Sequence, residues 1–258
     1  MLKVVGKPIV DGKAKGVFVH IEDYNKYKAP IILGVPCSAK YSDIKTKVAR
    51  DSINTGSSKI VGVILGSGRV QPHYYRLLEK IPGANLSIPI IYGIDLSLLR
   101  SGDKVSMHCN EEGIILVHNV DEVHVATAVV MGKDCRFLLL RRSQMVGSYR
   151  GFWAGVSGYV EEGEEPAAAA MREVYEETGI DKGILELLGS GAVRMVRYGN
   201  RVWVVHPFCF MIKGDVSPSL DWEHVEFRWV RAEDVKKYRT VPKLLDIISE
   251  FAHRFCTG

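Results

Sequence analysis

The sequence predicts an α/β protein in two parts, a β-rich domain over residues 1–120 followed by a domain over 121–258 that mixes strands with two substantial helices. Three observations predict it. A chain of 258 residues, 47% of them hydrophobic, has room for two modest cores. Before residue 120 the apolar runs are short and punctuated by glycine and proline. After it, strand-like runs are interrupted by a strongly helical stretch near residue 170 and followed by an amphipathic one at the C-terminus.

In the first domain, Lys3 to Val5, Gly16 to Ile21, Ile31 to Val35, Lys59 to Leu65, Ile88 to Tyr92, Lys104 to His108 and Gly113 to His118 read as strands. Pro72 to Ile81 reads as a helix with Tyr75 and Leu78 inward, and a weaker one lies within Lys40 to Ser52. The closing stretch, with Ile88-Pro89, Gly93, Gly102-Asp103-Lys104-Val105 and Glu112-Gly113, is similar to the swivelling β/β/α domain of phosphoenolpyruvate-utilising and aconitase-like proteins. In phosphotransferring relatives that resemblance implies a phosphoryl-carrying histidine, and His73 follows the glycine-rich turn at the matching place. A plain strand-to-helix turn with an exposed histidine is the ordinary explanation of the same residues. The expectation is an accessory domain that supports a homodimer or contributes a wall or partner site. Asn119 to Glu122 is a short polar junction without the proline or serine content of a long tether.

In the second domain, His124 to Val130 and Arg136 to Arg142 read as a hairpin turning at Met131 to Asp134. A polar loop, Gln144 to Arg150, leads into Gly151-Phe152-Trp153-Ala154-Gly155-Val156-Ser157-Gly158. Glu165 to Thr178 is predicted helical. Pro166 suits a first turn, the alanines behind it are the best helix formers, and Gly179 suits a left-handed cap. Ile184 to Leu187, Gly191 to Tyr198, Arg201 to Ile212 and Val225 to Val230 follow as strands, with Gly199-Asn200 as a tight turn. Ala232 to Tyr238 reads as a short helix, and Val241 to Phe251 as an amphipathic one with Leu244, Leu245, Ile248 and Phe251 on one face.

The helix near residue 170 carries the most specific pattern in the chain: Gly158, five residues, Glu164, seven residues, then Arg172-Glu173-Val174-Tyr175-Glu176-Glu177-Thr178-Gly179-Ile180. At helical pitch Glu173, Glu176 and Glu177 share a stripe, and Arg172 alone does not neutralise them. A charge run of this kind is usually a solvated face. The alternative is a set of hard oxygen ligands whose repulsion a divalent cation relieves.

The spacing resembles the signature of the Nudix hydrolases, with Val174 and Ile180 in its two bulky apolar positions. The flanking pattern extends the resemblance to residues 123–251 and beyond the motif implies a Nudix α/β/α sandwich with a mixed sheet. The activity it implies is hydrolysis of a phosphoanhydride in a nucleoside diphosphate linked to another moiety, with Mg2+ or Mn2+ as cofactor. Glu173, Glu176 and Glu177 are then metal ligands, one of them also a base. Arg172 orients a glutamate, Glu164 supports the loop or the metals, and the Ser157 carbonyl is a further ligand, although the proline and first glycine that often precede it in the family are absent here. Glu223 occupies the place of an additional carboxylate, with Glu226 as runner-up. One of Arg141 and Arg142, on opposite strand faces, reaches the polyphosphate, and Trp153 either stacks on a base or packs beneath its loop. The competing class is a nucleotide-sensing module that signals to the first domain without hydrolysis; such sensors usually lose signature glutamates, and none is lost here.

Composition bounds the setting. No apolar run approaches membrane-spanning length, and the first ten residues alternate apolar with polar in place of a signal-peptide core, so a cytoplasmic protein with no membrane partner is expected. The five cysteines are scattered and without CxxC spacing, so reduced thiols are expected and neither disulfides nor zinc. Residues 1–120 hold 16 basic and 10 acidic side chains, a mild excess that suits a solvated surface. With no arginine-rich tract or RNA-binding motif, the expected partner is a small nucleoside diphosphate derivative and not nucleic acid.

Overall fold

A computed structural model of the chain describes residues 1–27, 30–39, 60–68, 88–214 and 216–256. These residues form two compact units, Met1–Glu122 with Arg197–Val202, and Val123–Val196 with Trp203–Gly258.

The first unit is a closed barrel in the order β1 (Leu2–Val10), β5 (Ile90–Ile94), β4 (Ile60–Gly66), β3 (Ile31–Val35), β2 (Gly12–His20), β6 (Lys104–Cys109) and β7 (Gly113–Val117). β2 to β5 run parallel to their neighbours in sequence, and the other pairs are antiparallel. Sequence already distinguishes the two kinds: β3 is a continuous apolar run buried at every position, whereas β1 begins with alternating buried and exposed residues. Arg197 belongs to this unit, where its guanidinium, 2% exposed, donates to both carboxylate oxygens of Asp103 at 2.6 and 3.0 Å. The helices predicted over 72–81 and within 40–52, and His73, lie outside the described residues. The swivelling-domain resemblance rests on the sequence pattern alone.

The second unit is built on one mixed sheet. Its central path is β10 (Trp153–Ala154), β9 (Arg136–Arg142), β8 (Asp121–Met131), β14 (Arg201–Ile212) and β12 (Leu185–Ser190). β11 (Val156–Tyr159) pairs with β8, β13 (Arg194–Tyr198) with β14, and β15 (His224–Arg231) with β9. Alternation along the strands splits the core in two. Ala126, Ala128, Leu138 and Leu140 face α1 (Pro166–Thr178) through Ala169, Ala170 and Val174. Val129, Met131, Phe137 and Leu139 pack with Leu244, Ile247, Ile248 and Phe251 of α2 (Leu244–Phe255) on the other side. This is the α/β sandwich the sequence predicts, and each fully buried Leu, Ile or Phe on these faces contributes about 1.5–3 kcal/mol.

Three details differ from expectation. α2 begins at Leu244 and not at Val241, because Val241 precedes Pro242 and such a residue is pushed toward extended backbone; its N–H donates instead to the Trp153 carbonyl at 2.9 Å. Ala232–Lys237 is a single 3-10 segment. The expectation of five reduced cysteines is corrected: Cys135 and Cys256 form a disulfide with Cα atoms 5.8 Å apart, while Cys109 and Cys209 are buried free thiols. Spacing rules do not reveal a pair 121 residues apart that forms when the end of α2 reaches the start of β9. Among the described residues no helix is long and apolar enough to cross a membrane.

Candidate active site

The site is organised by one close approach. α1 packs on β11, and a Cβ at Gly158 would occupy the space of the Glu173 carboxylate, so only glycine lets the helix and its acid sit this near the strand. Gly179 closes the helix at φ +66, its N–H donating to the Tyr175 carbonyl at 2.8 Å.

Arg172 is the brace. Its Nε and one terminal nitrogen donate to the two oxygens of Glu164, both at 3.0 Å, and the same terminal nitrogen donates to the Tyr159 carbonyl at 3.1 Å. The other terminal nitrogen donates to Glu173 at 2.6 Å and Glu176 at 3.0 Å. Glu164 therefore spends both oxygens on Arg172 and one also on the Glu161 N–H. Glu164 thus holds the arginine, the supporting place expected of it. These bonds keep the Glu164 carboxyl below its ordinary range and raise Arg172.

Glu177 is set apart from its neighbours. Its side chain is 5% exposed, and Oε1 accepts the Ser157 N–H at 3.3 Å. Oε2 is buried and has no hydrogen-bond partner. Burial, reinforced by the charges of Glu173, Glu223 and Asp221 and opposed by the Ser157 N–H, pushes this carboxyl well above its ordinary value. Burial also raises Glu173, partly offset by Arg172, and Glu223, partly offset by Arg142. Glu176 is half-exposed.

Of the predicted residues, the fold brings together Ser157, Glu164, Arg172, Glu173, Glu176, Glu177 and Glu223, and the arginine beside them is Arg142, whose charge acts on Glu223. Arg142 is anchored by donating to the Ser148 carbonyl at 3.2 Å. Arg141 and Glu226 do not join them. They face each other across β9 and β15 at 3.4 Å, with Arg228 closing on Glu226 at 2.6 Å, and form a surface ion-pair ladder. Of the two alternatives for Trp153 the fold shows the packed one: 8% exposed, it sits edge-on to Tyr238 among the residues of the α2 core. The three glutamates also fail to converge as simply as helical spacing suggests, because Arg172 draws Glu173 and Glu176 while Glu177 turns inward. Among the described residues no three Asp, Glu, His or Cys groups form a ready-made cation cage.

Sequence reasoning passed over Asp221 and His224, which flank Glu223. His224 is fully enclosed, its Nδ1 3.3 Å from Asp221 and 3.6 Å from Glu177, and burial lowers its pKa. An aspartate three residues before a histidine that opens an apolar strand was the available signal.

A mixed sheet between two helices, with an arginine-braced row of glutamates ending in a buried acid, defines an acidic site on an α/β sandwich. The NUDIX domain family model matches residues 122–251, half of the chain, and the chain belongs to that family. It is 33% identical over 121 residues to putative nudix hydrolase 1 of Caenorhabditis elegans, covering 44% of this chain and 30% of that protein. To nudix hydrolase 10 of Arabidopsis thaliana it is 32% identical over 168 residues, 64% of this chain and 47% of that protein. The chain thus spans less than half the length of either curated relative. Among solved structures, the MutT protein of Methanosarcina mazei Go1 is 25% identical with a TM-score of 0.46, over 52% of this chain and 96% of that one.

Proposed function

We propose that residues 121–258 hydrolyse a phosphoanhydride bond in a nucleoside diphosphate linked to another moiety, with residues 1–120 as an accessory domain. The observation that carries the reading is the Glu177 carboxylate, buried with one oxygen unpartnered amid three further acids. A lone buried carboxylate is costly, and its orphan oxygen is the kind of group a bound cation satisfies.

The donor set fits Mg2+ or Mn2+. Glu173, Glu176, Glu177, Glu223 and the Ser157 carbonyl are hard oxygens, and Arg172 neutralises only part of their charge. A cation held there would neutralise phosphate oxygens and acidify a bound water. The chain's own groups supply the rest. Glu164 and Arg172 fix the rotamer of Glu173, and Gly158 leaves room for it. Glu223, whose carboxyl burial raises, is the side chain suited to accept a proton from the attacking water. Arg142, beside Glu223, is the side chain suited to pair with a substrate phosphate. That every signature glutamate is present supports hydrolysis over nucleotide sensing.

The test is a panel of ADP-ribose, nucleotide sugars, nucleoside triphosphates and dinucleoside polyphosphates with Mg2+ or Mn2+, scored by the phosphate-bearing products. Turnover of one class by the wild type and its loss in Glu177→Gln is expected. Binding without turnover across the panel would establish the sensing module instead.

A further inference from the structure

The hydrolytic reading leaves His224 without a task. It opens β15 opposite Arg142, and its side chain is 0% exposed. Nδ1 faces two acids, Asp221 Oδ1 at 3.3 Å and Glu177 Oε2 at 3.6 Å, while Nε2 is buried with no hydrogen-bond partner.

The acceptors lie on one side of this ring only, two carboxylates facing Nδ1 and no hydrogen-bond partner meeting Nε2. A single ring proton has two possible homes. On Nε2 it would be a buried donor with nothing to receive it, and Nδ1 would turn its lone pair on two carboxylates. On Nδ1 it serves Asp221, and the bare Nε2 is left as an unsatisfied acceptor, the less costly kind of orphan. The partners therefore select the Nδ1–H tautomer.

Asp221 fixes where that N–H points. The same Oδ1 accepts the Glu223 N–H at 3.1 Å, and the Asp221 N–H donates to the Glu177 carbonyl at 3.3 Å. Beside it the Ser219 N–H donates to the Thr178 carbonyl at 2.8 Å, so the loop is tied to the last turn of α1. At 3.6 Å Glu177 Oε2 lies beyond a good hydrogen bond but within the field of the N–H dipole. The ring thus eases the repulsion between Asp221 and Glu177 without claiming the oxygen, while the Ser157 N–H holds Oε1 from the other side.

We propose that His224 is a positioning residue for Glu177: its Nδ1–H, aimed by Asp221, holds the carboxylate so that Oε2 stays open toward a divalent cation. The inference rests on the reading of Glu177 as a cation ligand. Asn and Gln separate the two ring nitrogens, because the Asn amide nitrogen falls near the position of Nδ1 and that of Gln near Nε2.

The experiment compares wild type, His224→Asn, His224→Gln and His224→Leu in the full chain, with Mn2+ affinity measured by calorimetry and the wild-type ring nitrogens read by NMR. Gln and Leu should weaken Mn2+ binding about ten- to a hundredfold, as loss of a ligand-orienting group does, and Asn should stay within about threefold of wild type. The ring should show a protonated Nδ1. Equal effects of Asn and Gln, or a bare Nδ1, would overturn the proposal, and the NMR result stands even where Leu does not fold. Mn2+ binding that obeys the Asn/Gln contrast in a protein that cleaves none of the nucleotide panel would sink hydrolysis and leave the positioning role standing. A wild type that takes up no Mn2+ would sink both.

Discussion

Two acid–arginine assemblies lie in the second unit, and they differ in what surrounds them. In the surface ladder, Glu226 sits between Arg228 at 2.6 Å and Arg141 at 3.4 Å, with side chains 32%, 53% and 48% exposed. There the arginines hold the Glu226 carboxyl below its ordinary value. In the site, Arg172 is just as well placed, yet burial pushes Glu173 and Glu177 the other way, and one oxygen of Glu177 has no hydrogen-bond partner. Charge density does not separate the two. An unmet buried acceptor does, and it marks the place where a missing positive charge would stabilise the protein.

The comparison breaks most sharply on activity. Glu177→Gln should lower kcat about a thousandfold, on the order of 4 kcal/mol of transition-state stabilisation, whereas Glu226→Gln should leave it within about twofold because the ladder stands apart from the acids of the site. Equal losses in steady-state kinetics would erase the distinction. Next in size is Gly158→Ala. The added methyl meets the Glu173 carboxylate, and displacing that acid by about 1 Å should cost about a hundredfold in turnover with most of the fold intact by circular dichroism.

Acid–base behaviour sharpens the contrast further. A carboxyl raised on folding binds its proton more tightly in the native state, so its stabilising effect is complete below its unfolded value near 4.5 and is lost as pH rises through the folded one. Metal-free wild type should therefore lose stability relative to Glu177→Gln as pH climbs from about 4.5 toward neutrality, and saturating Mn2+ should reverse that loss. Glu226, lowered on folding, has the opposite sign: whatever stability its pairing adds is present above pH 4.5 and lost as pH falls through its folded value. The smallest effect is expected there, with Glu226→Gln changing unfolding free energy by about 0–1 kcal/mol and less at high salt, as urea titrations would read.

How much of this was legible in the sequence follows from how local each contact is. The glutamate helix, its capping glycine and the Gly158 approach lie within one short stretch, where spacing alone specifies geometry. The choice between Arg141 and Arg142 was not legible. Alternation says that they face opposite ways, but the β9–β15 register decides which one meets Glu223 and which meets Glu226. Whether Trp153 stacks on a base or packs beneath its loop stays open in the sequence until Tyr238 and the α2 core, far along the chain, cover it. Asp221 and His224 gain their meaning only when the loop before β15 folds onto the end of α1.

The most direct measurement is the titration of the Glu177 side-chain carboxyl by carbon NMR, with and without Mg2+. The account predicts a pKa well above the ordinary glutamate range in metal-free protein and a fall to below that range when Mg2+ is added. A Glu177 that titrates at the same pH with and without the cation would contradict it.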